Sequence, residues 1–430
     1  MNIQRLFFTL QLALLIATIT LAQSAPDRPV YNCYLKVERY VESQTQEMRN
    51  QGKRVTSDDL RNLEEKKKSL AKKYANEIIA QGSPVGDERY YLGLLFLFAD
   101  DTTRAHAVMK DFLSQYPNHA NGEILQMARS YGVILSARKQ LVDEAEMFYT
   151  TWINGEPALK SRQPMLENVL AVALFKKQQY GRAIRYGQEA FDLLSTFQSR
   201  TIREKRQLEE LYANLVEVLA LSYKKTKKED LAFNILAEAR ARALTIPSAN
   251  LYRKVMEFVN GSSFSEKKLM QKIESYTNVN PVPEIEFIDW IGQEPITFEQ
   301  LRGKVVLLDF WATWCGPCIS TFPRLRGLHK KYQDKGFVIV GVTQLYGNSD
   351  GKPMSKLEEI DYLNEFRRRY ELPYPFAIAE SGEEAIKYGI NAYPTTFLLD
   401  RQGVVRYIGI GAGGEEADNL ESLIKKLITE

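Results

Sequence analysis

Two patterns of apolar residues divide the chain. From about Cys33 to Tyr276, apolar residues recur every three or four positions, as in TSDDLRNLEEKKKSLAKKYANEIIA (56–80) and TIREKRQLEELYANLVEVLALSYKK (201–225). This period matches the turn of an α-helix, and Ser, Thr or Asp stands near the predicted helix starts. Strand patterns are nearly absent from this part of the sequence. The pattern therefore predicts an all-α region over residues 30–276.

Alanine recurs after a polar turn within this region, followed seven positions later by another apolar residue. The pairs are Ala105 with Phe112, Ala145 with Trp152, Ala183 with Ala190, and Ala232 with Ala239. The intervals of 40, 38 and 49 residues are longer and less regular than the roughly 34 of a tetratricopeptide repeat. Two folds remain open: a degenerate array of helical hairpins, which offers a groove to a partner, and a plain helical bundle.

A different pattern begins after TNVNPVP (277–283), which we expect to be a linker because proline cannot continue a helix. Strand-like runs follow at KVVLLDF (304–310), FVIVGVT (337–343), TTFLLD (395–400) and VVRYIGI (404–410). Helical patterns lie between and after them, at 315–332, 355–370, 382–389 and 415–429. Alternation of this kind predicts an α/β domain over 284–430, with a mixed sheet that closes in an antiparallel hairpin.

The amino terminus has the layout of a secretory signal peptide. Arg5 precedes an apolar run from Leu6 to Ala22, and small residues follow. We therefore expect residues 1–22 to direct export, with cleavage after Ala22 or Ser24. The alternative is an uncleaved membrane anchor. In either case the remainder of the chain is predicted to be exported.

Composition narrows the range of functions. The 57 basic and 54 acidic residues give a formal charge of +3, so no strong field favours nucleic acid or an anionic membrane surface. Three cysteines in 430 residues are too few for a disulfide framework, although exported proteins commonly use one. Cys33 stands alone, as a plain thiol or as half of an intermolecular disulfide.

The other two cysteines stand together in WATWCGPC (311–318). A buried-looking strand precedes them, and Cys315 falls where a helix would begin. Unpaired N–H groups and the positive dipole end of a helix favour a thiolate, so we expect Cys315 to be an exposed, activated nucleophile. Cys318, one turn later, suits a resolving thiol that releases a mixed disulfide. Gly316 permits the tight turn, and Pro317 fits the first helical turn.

Half of a zinc site is the competing interpretation of this pair. Zinc would require two more ligands, but the sequence contains no other CxxC motif and only His106, His119 and His329. We therefore predict no metal.

At this point the residues show a resemblance. LLDFWATWCGPC, Pro323 in the same predicted helix, and AYPTTF (392–397) before a strand resemble the thioredoxin superfamily. The segment before the motif, PEIEFIDWIGQEPITFEQLRGKVVLLDF (283–310), narrows the resemblance to the exported TlpA-like and ResA-like thiol–disulfide oxidoreductases. The resemblance covers about residues 280–430 and implies a thioredoxin fold whose redox-active dithiol is the only cofactor.

The resemblance also implies roles for individual residues. Cys315 matches the attacking cysteine and Cys318 the resolving cysteine. Asp309 matches a buried acid that helps to deprotonate the resolving thiol through water, although an Asp at a strand end is otherwise more often a cap or an ion pair. Pro394 matches the cis-proline beside the disulfide. The substrate-binding residues implied in this way are Trp314, Gly316, Pro317, Tyr393 and Thr395. Trp311 suits a core role as well as a role in framing the site.

The resemblance, with the predicted signal peptide, implies a protein-disulfide reductase of the periplasm. Its expected partners are protein disulfides and a membrane electron donor, with the helical region recruiting a partner and no nucleic acid involved. The alternative is a scaffold protein in which the helical region binds a partner and the thioredoxin fold docks with little turnover.

Overall fold

The computed structural model describes residues 29–53, 55–155, 161–196, 201–261, 264, 282, 284–349, 352–413 and 415–430. The predicted signal segment, residues 1–22, lies outside them, as does the predicted linker apart from Val282. No helix in the described ranges is both long enough and apolar enough to cross a bilayer. The described part of the chain forms two compact units, one through Ser195 and one from Thr196. The predicted domain limits, 30–276 and 284–430, stay a prediction.

The first unit is entirely helical where it is described, as predicted. Its helices are α1 (Pro29–Glu38), α2 (Tyr40–Asn50), α3 (Ser57–Gln81), α4 (Asp87–Phe98), α5 (Thr102–Gln115), α6 (Gly122–Arg138), α7 (Val142–Ile153), α8 (Gln163–Lys176) and α9 (Tyr180–Thr196). Three further helices begin the second unit: α10 (Ile202–Lys225), α11 (Glu229–Thr245) and α12 (Ala249–Gly261). All eight residues of the predicted alanine pattern are buried.

The same turn separates the helices of four successive pairs. Asp100, Gln140, Gln178 and Lys227 each adopt a left-handed conformation with φ near +60°. In each turn the next N–H donates to the carbonyl five residues earlier, as Asp101 does to Phe96. Such a turn satisfies carbonyls left unpaired at the end of a helix. Each turn residue precedes a patterned alanine by five positions, so the sequence pattern corresponds to successive helical hairpins; their membership of a repeat family stays a prediction.

The α/β part contains eight strands and four helices in its described residues. The strands are β1 (Phe287–Ile291), β2 (Val305–Phe310), β3 (Phe337–Gln344), β4 (Asn348–Ser349), β5 (Lys352–Pro353), β6 (Phe376–Ala379), β7 (Thr395–Leu399) and β8 (Val405–Ile410). The helices are α13 (Gly316–Tyr332), α14 (Lys356–Arg369), α15 (Gly382–Lys387) and α16 (Glu415–Thr429). The four predicted strands and four predicted helices are present, with ends within about two residues.

The main sheet has the order β1-β6-β3-β2-β7-β8. Strands β2, β3 and β6 are parallel, whereas β7 is antiparallel to β2 and forms the predicted closing hairpin with β8. Strand β1, which the apolar pattern did not predict, pairs antiparallel with β6. Every residue of β2 is buried, so the chain leaves the centre of the sheet immediately before the two cysteines.

Candidate redox-active site

Cys315 and Cys318 form a disulfide at the start of α13, with Cα atoms 5.3 Å apart. Cys315 is the residue that caps this helix, and its Sγ accepts a hydrogen bond of 3.2 Å from the N–H of Cys318. Gly316 and Pro317 occupy the first helical positions and are exposed. The N–H groups at a helix start and the dipole behind them stabilise negative charge on a capping sulfur. This local geometry therefore favours a thiolate at Cys315 when the disulfide is open.

The expectation that Cys315 is exposed is wrong for this disulfide form. Cys315 is 4% exposed and Cys318 is fully buried. Both belong to the core cluster that includes Trp311 and Phe322, and Tyr393 packs against this cluster. Disulfide formation directs the Cys315 sulfur toward Cys318, which lies in the core. The accessible surface at the site comes from the residues around the sulfur atoms.

Asp309 lies on the cysteine side of the sheet. Side chains alternate along a strand, and the neighbours of Asp309 at alternate positions, Leu307 and Trp311, belong to the core cluster that holds both cysteines. Asp309 is 1% exposed, and its Oδ1 has no hydrogen-bond partner among the described residues. Burial raises the pKa of Asp309 to about 7, opposed by the positive charge of Arg324. A carboxyl group with this pKa can accept or release a proton near neutral pH.

Pro394 follows a cis peptide bond from Tyr393, as the resemblance implied. The carbonyl of Pro394 accepts a hydrogen bond of 2.8 Å from Gly411. Thr395 is buried, and its hydroxyl donates to the carbonyl of Ala392 at 2.8 Å, which holds the turn in shape. The backbone N–H and carbonyl of Tyr393 have no such partner in the described part of the chain. This residue therefore presents unpaired backbone groups next to the cis-proline.

The two tryptophans of the motif have different environments. Trp311 is 1% exposed and packs on Phe376, Phe366 and Phe322, with ring centroids 4.7, 5.2 and 5.7 Å away. Its role is in the core. Trp314 is 64% exposed. The side chains around Trp314 are those of Tyr346, at 5.7 Å, and Tyr393, at 6.0 Å.

Sequence reasoning missed Tyr346 and the residue that holds it. Glu359, on α14, is 4% exposed, and its carboxylate accepts hydrogen bonds of 2.8 Å from the N–H groups of Tyr346 and Gly347. The capping motif formed by Ser355 and Glu358 marks the start of α14. No spacing in the sequence connects Glu359 with a turn twelve residues earlier.

Comparison with known proteins agrees with this geometry. The family profile described as Redoxin matches residues 278–424. The thiol-disulfide oxidoreductase ResA of Bacillus thuringiensis subsp. konkukian is 33% identical over 134 residues, which are 31% of this chain and 68% of that protein. The thioredoxin-like protein YneN of Bacillus subtilis is 35% identical over 121 residues, which are 28% of this chain and 65% of that protein.

Solved structures are similar to about a third of the chain. A putative thiol:disulfide interchange protein DsbE from Chlorobium tepidum is 28% identical, covering 34% of this chain and 98% of that one, with a TM-score of 0.27. StoA from Bacillus subtilis is 23% identical, covering 35% and 98% of the two chains, also with a TM-score of 0.27. The family assignment rests on the sequence matches, of which the one to ResA covers 68% of that protein. The chain therefore belongs to the redoxin family and, within it, to the ResA-like thiol–disulfide oxidoreductases of the thioredoxin superfamily.

Proposed function

We propose that this protein reduces disulfides in exported proteins, with Cys315 as the attacking thiolate and Cys318 as the resolving thiol. The observation that carries the proposal is the position of the Cys315–Cys318 disulfide. It caps α13 on the side of the sheet where Asp309 is buried, with no hydrogen-bond partner for its Oδ1 among the described residues. This arrangement provides the attacking sulfur, the resolving sulfur and a proton acceptor from one continuous stretch of chain.

The proposed reaction begins from the dithiol form. The Cys315 thiolate attacks one sulfur of the substrate disulfide, forming a mixed disulfide and releasing the other substrate sulfur as a thiolate. Asp309 then accepts the Cys318 proton through water, and the Cys318 sulfur attacks Cys315. The second substrate thiolate leaves, and the Cys315–Cys318 disulfide forms. The substrate gains two electrons, and the cysteine pair loses two.

The substrate chain is proposed to lie beside Pro394. The backbone groups of Tyr393 lack partners in the described residues, so they can pair with an extended polypeptide, as strands added to a sheet edge do. Trp314 and Tyr346 provide an aromatic surface next to Tyr393. Aromatic side chains offer a large apolar contact area at low conformational cost. A polypeptide disulfide therefore fits this site better than a small disulfide does.

The direction of electron flow is part of the proposal. The Gly-Pro dipeptide between the cysteines resembles that of reducing thioredoxins. A reductase outside the cytosol requires a continuing source of electrons, so we propose a membrane electron donor and a periplasmic location. The name of ResA describes that protein as a thiol-disulfide oxidoreductase, which supports exchange chemistry here. We further propose that the helical hairpins of the first unit recruit a partner.

The test uses the exported chain and three substitutions. Cys318→Ser should accumulate a mixed disulfide with a disulfide-bonded peptide, Cys315→Ser should abolish turnover, and Cys33→Ser is the matched control that should behave as wild type. Full turnover by Cys315→Ser would contradict the assignment of the attacking sulfur. An absence of turnover in wild type, with a partner still bound, would support the scaffold alternative.

The reduction potential of the Cys315–Cys318 pair tests the direction separately. Equilibration against dithiothreitol and glutathione buffers, followed by tryptophan fluorescence, should give about −270 mV or lower, as in reducing thioredoxins. A value between roughly −180 and −120 mV is that of an isomerase or an oxidant. Such a value would overturn the proposed reduction while leaving the exchange chemistry in place.

A further inference from the structure

Helices α10, α11 and α12 contact the α/β part, including the segment that leads to the cis-proline. Helix α10 contacts α15, and both α11 and α12 contact β8, all within the second compact unit. The corner between α11 and α12 is formed by residues 246–248. Ser248, at this corner, is 1% exposed, and its Oγ accepts a hydrogen bond of 3.1 Å from the N–H of Leu251. Ser248 therefore caps the start of α12.

The first N–H groups of α12 pair with two carbonyls of the turn directly after α15. The first N–H groups of a helix and its last carbonyls have no partner within the helix. Here the N–H of Ala249 donates to the carbonyl of Tyr388 at 3.0 Å, and that of Asn250 donates to Gly389 at 2.9 Å. The positive end of α12 thus lies against carbonyl groups of this turn, which is favourable. Lys205, on α10, adds a hydrogen bond to the carbonyl of Lys387.

Gly389 leaves no room for a side chain at this contact. Its φ is +62°, and a Cβ there would lie 2.6 Å from Oγ and 2.9 Å from Cα of Ser248. A side chain at position 389 would therefore force either the corner or the loop that carries residue 389 to move. Two residues later, the side-chain amide of Asn391 donates to Oδ1 of Asn250 at 3.1 Å.

The contact reaches the strand that leads to the redox site, on the face of the sheet opposite the cysteines. Tyr388 is fully buried, and its ring lies 5.4 Å from that of Phe310 and 5.2 Å from that of Phe397. Phe310 ends β2, directly after Asp309. Pro394 is five residues beyond Gly389. The corner therefore fixes the chain on the approach to the cis-proline, at a point packed against the strand that leads to Cys315.

We infer that the start of α12 positions the cis-proline loop for polypeptide substrates, with Ser248, Asn250 and Gly389 as positioning residues. The inference rests on the proposed function for its effect on substrate. It gives α12 a role in the compact unit that contains the redox site: the shape of the substrate-facing loop depends on helices that precede the thioredoxin fold in sequence.

The experiment compares Gly389→Ala with Gly303→Ala in the full oxidised chain. Gly303 has a φ of +80° and no atom within 4 Å of its added Cβ. Gly303→Ala therefore introduces the backbone strain of a positive φ without a steric contact. Amide hydrogen exchange over residues 390–396 should become about tenfold faster or more in Gly389→Ala and stay unchanged in Gly303→Ala. In the reduced proteins, KM for a disulfide-bonded peptide should rise about fivefold in Gly389→Ala alone, while kcat for dithiobis-nitrobenzoate changes by less than about twofold.

A second variant decides the matter if Gly389→Ala does not fold. Asn250→Ala removes the side-chain bond to Asn391 and two longer ones, to Glu209 and from Arg253. It should raise exchange over 390–396 about threefold. Unchanged exchange and unchanged KM in the folded variants would overturn the inference. If wild type reduces neither disulfide, the proposed function fails, and hydrogen exchange alone then decides whether the corner holds the loop.

Discussion

The indole nitrogen of Trp311 lies in contact with the position that a Cβ on Gly341 would occupy. Gly341 is the β3 residue paired with Asp309 on β2. A Cβ at position 341 would be 3.0 Å from Nε1 of Trp311 and 2.9 Å from a ring carbon of Phe376. The tight packing around the tryptophan that precedes the redox motif therefore requires glycine in the neighbouring strand.

Gly341→Ala should destabilise the protein by about 1–3 kcal/mol, because an added methyl group in a filled core forces side chains out of their preferred rotamers. Urea unfolding followed by tryptophan fluorescence measures this as a lower midpoint at unchanged slope. Gly327→Ala is the control: Gly327 is exposed within α13, with nothing within 4 Å of its added Cβ. That variant should be neutral or slightly stabilising. Equal midpoints for the two variants would contradict the packing argument.

Asp309→Asn should change the dependence of stability on pH. The ordinary pKa of this carboxyl, 3.8, is raised to about 7 by burial. Between these values the folded state holds a proton that the unfolded state has released, so stability falls as pH rises. The whole difference corresponds to roughly 4 kcal/mol.

The neutral Asn avoids that loss. Asp309→Asn should therefore match wild type near pH 4 and be more stable by up to about 4 kcal/mol at pH 8, as measured by urea unfolding at both pH values. Asp361→Asn, on the exposed side of α14, is the control and should follow wild type throughout. A gain in stability at pH 4 as large as that at pH 8 would show that the carboxylate charge is not its cause.

Trp311 and Trp314 should respond oppositely to truncation. Trp311→Ala should cost about 3–5 kcal/mol of unfolding free energy, because it opens a large cavity between aromatic rings. Trp314→Ala should cost less than about 0.5 kcal/mol, because its side chain is mostly exposed. In the proposed reaction, Trp314→Ala should instead raise KM for a disulfide-bonded peptide about tenfold, and Trp314→Phe should restore much of the loss. A large fall in stability for Trp314→Ala would assign it to the core.

The parts of the site that could be predicted lie within one stretch of chain. Asp309, Cys315 and Cys318 occupy a buried strand and the helix directly after it, so their spacing alone fixes their order in space. The apolar runs predicted β2, β3, β7 and β8 because each run lies within one short segment of sequence. Strands β1 and β6 were missed because β1 is only half-buried and β6 has four residues. Neither provides a full period of apolar alternation.

The remaining parts depend on contacts between distant segments. Glu359 reaches Tyr346 only because α14 brings it back to the turn after β3, and Ser248 meets Gly389 across 141 positions of sequence. A single sequence contains no signal for such pairs, since each residue alone resembles an ordinary helix or turn residue. The burial of Cys315 was mispredicted for a related reason: the start of a helix is usually solvated, but this one lies in the core cluster.

Glu359→Gln should weaken substrate binding without altering the redox chemistry. The carboxylate accepts two backbone N–H groups in a buried position, and the amide oxygen of Gln would leave its NH₂ group facing one of these donors. Hydrogen bonds to charged groups contribute about 1.5–3 kcal/mol, so the turn carrying Tyr346 should loosen. KM for a disulfide-bonded peptide should then rise about threefold or more, with the reduction potential unchanged. Glu365→Gln, on the exposed side of the same helix, is the matched control. A shifted potential with an unchanged KM would place the effect of Glu359 at the cysteines instead of the aromatic surface.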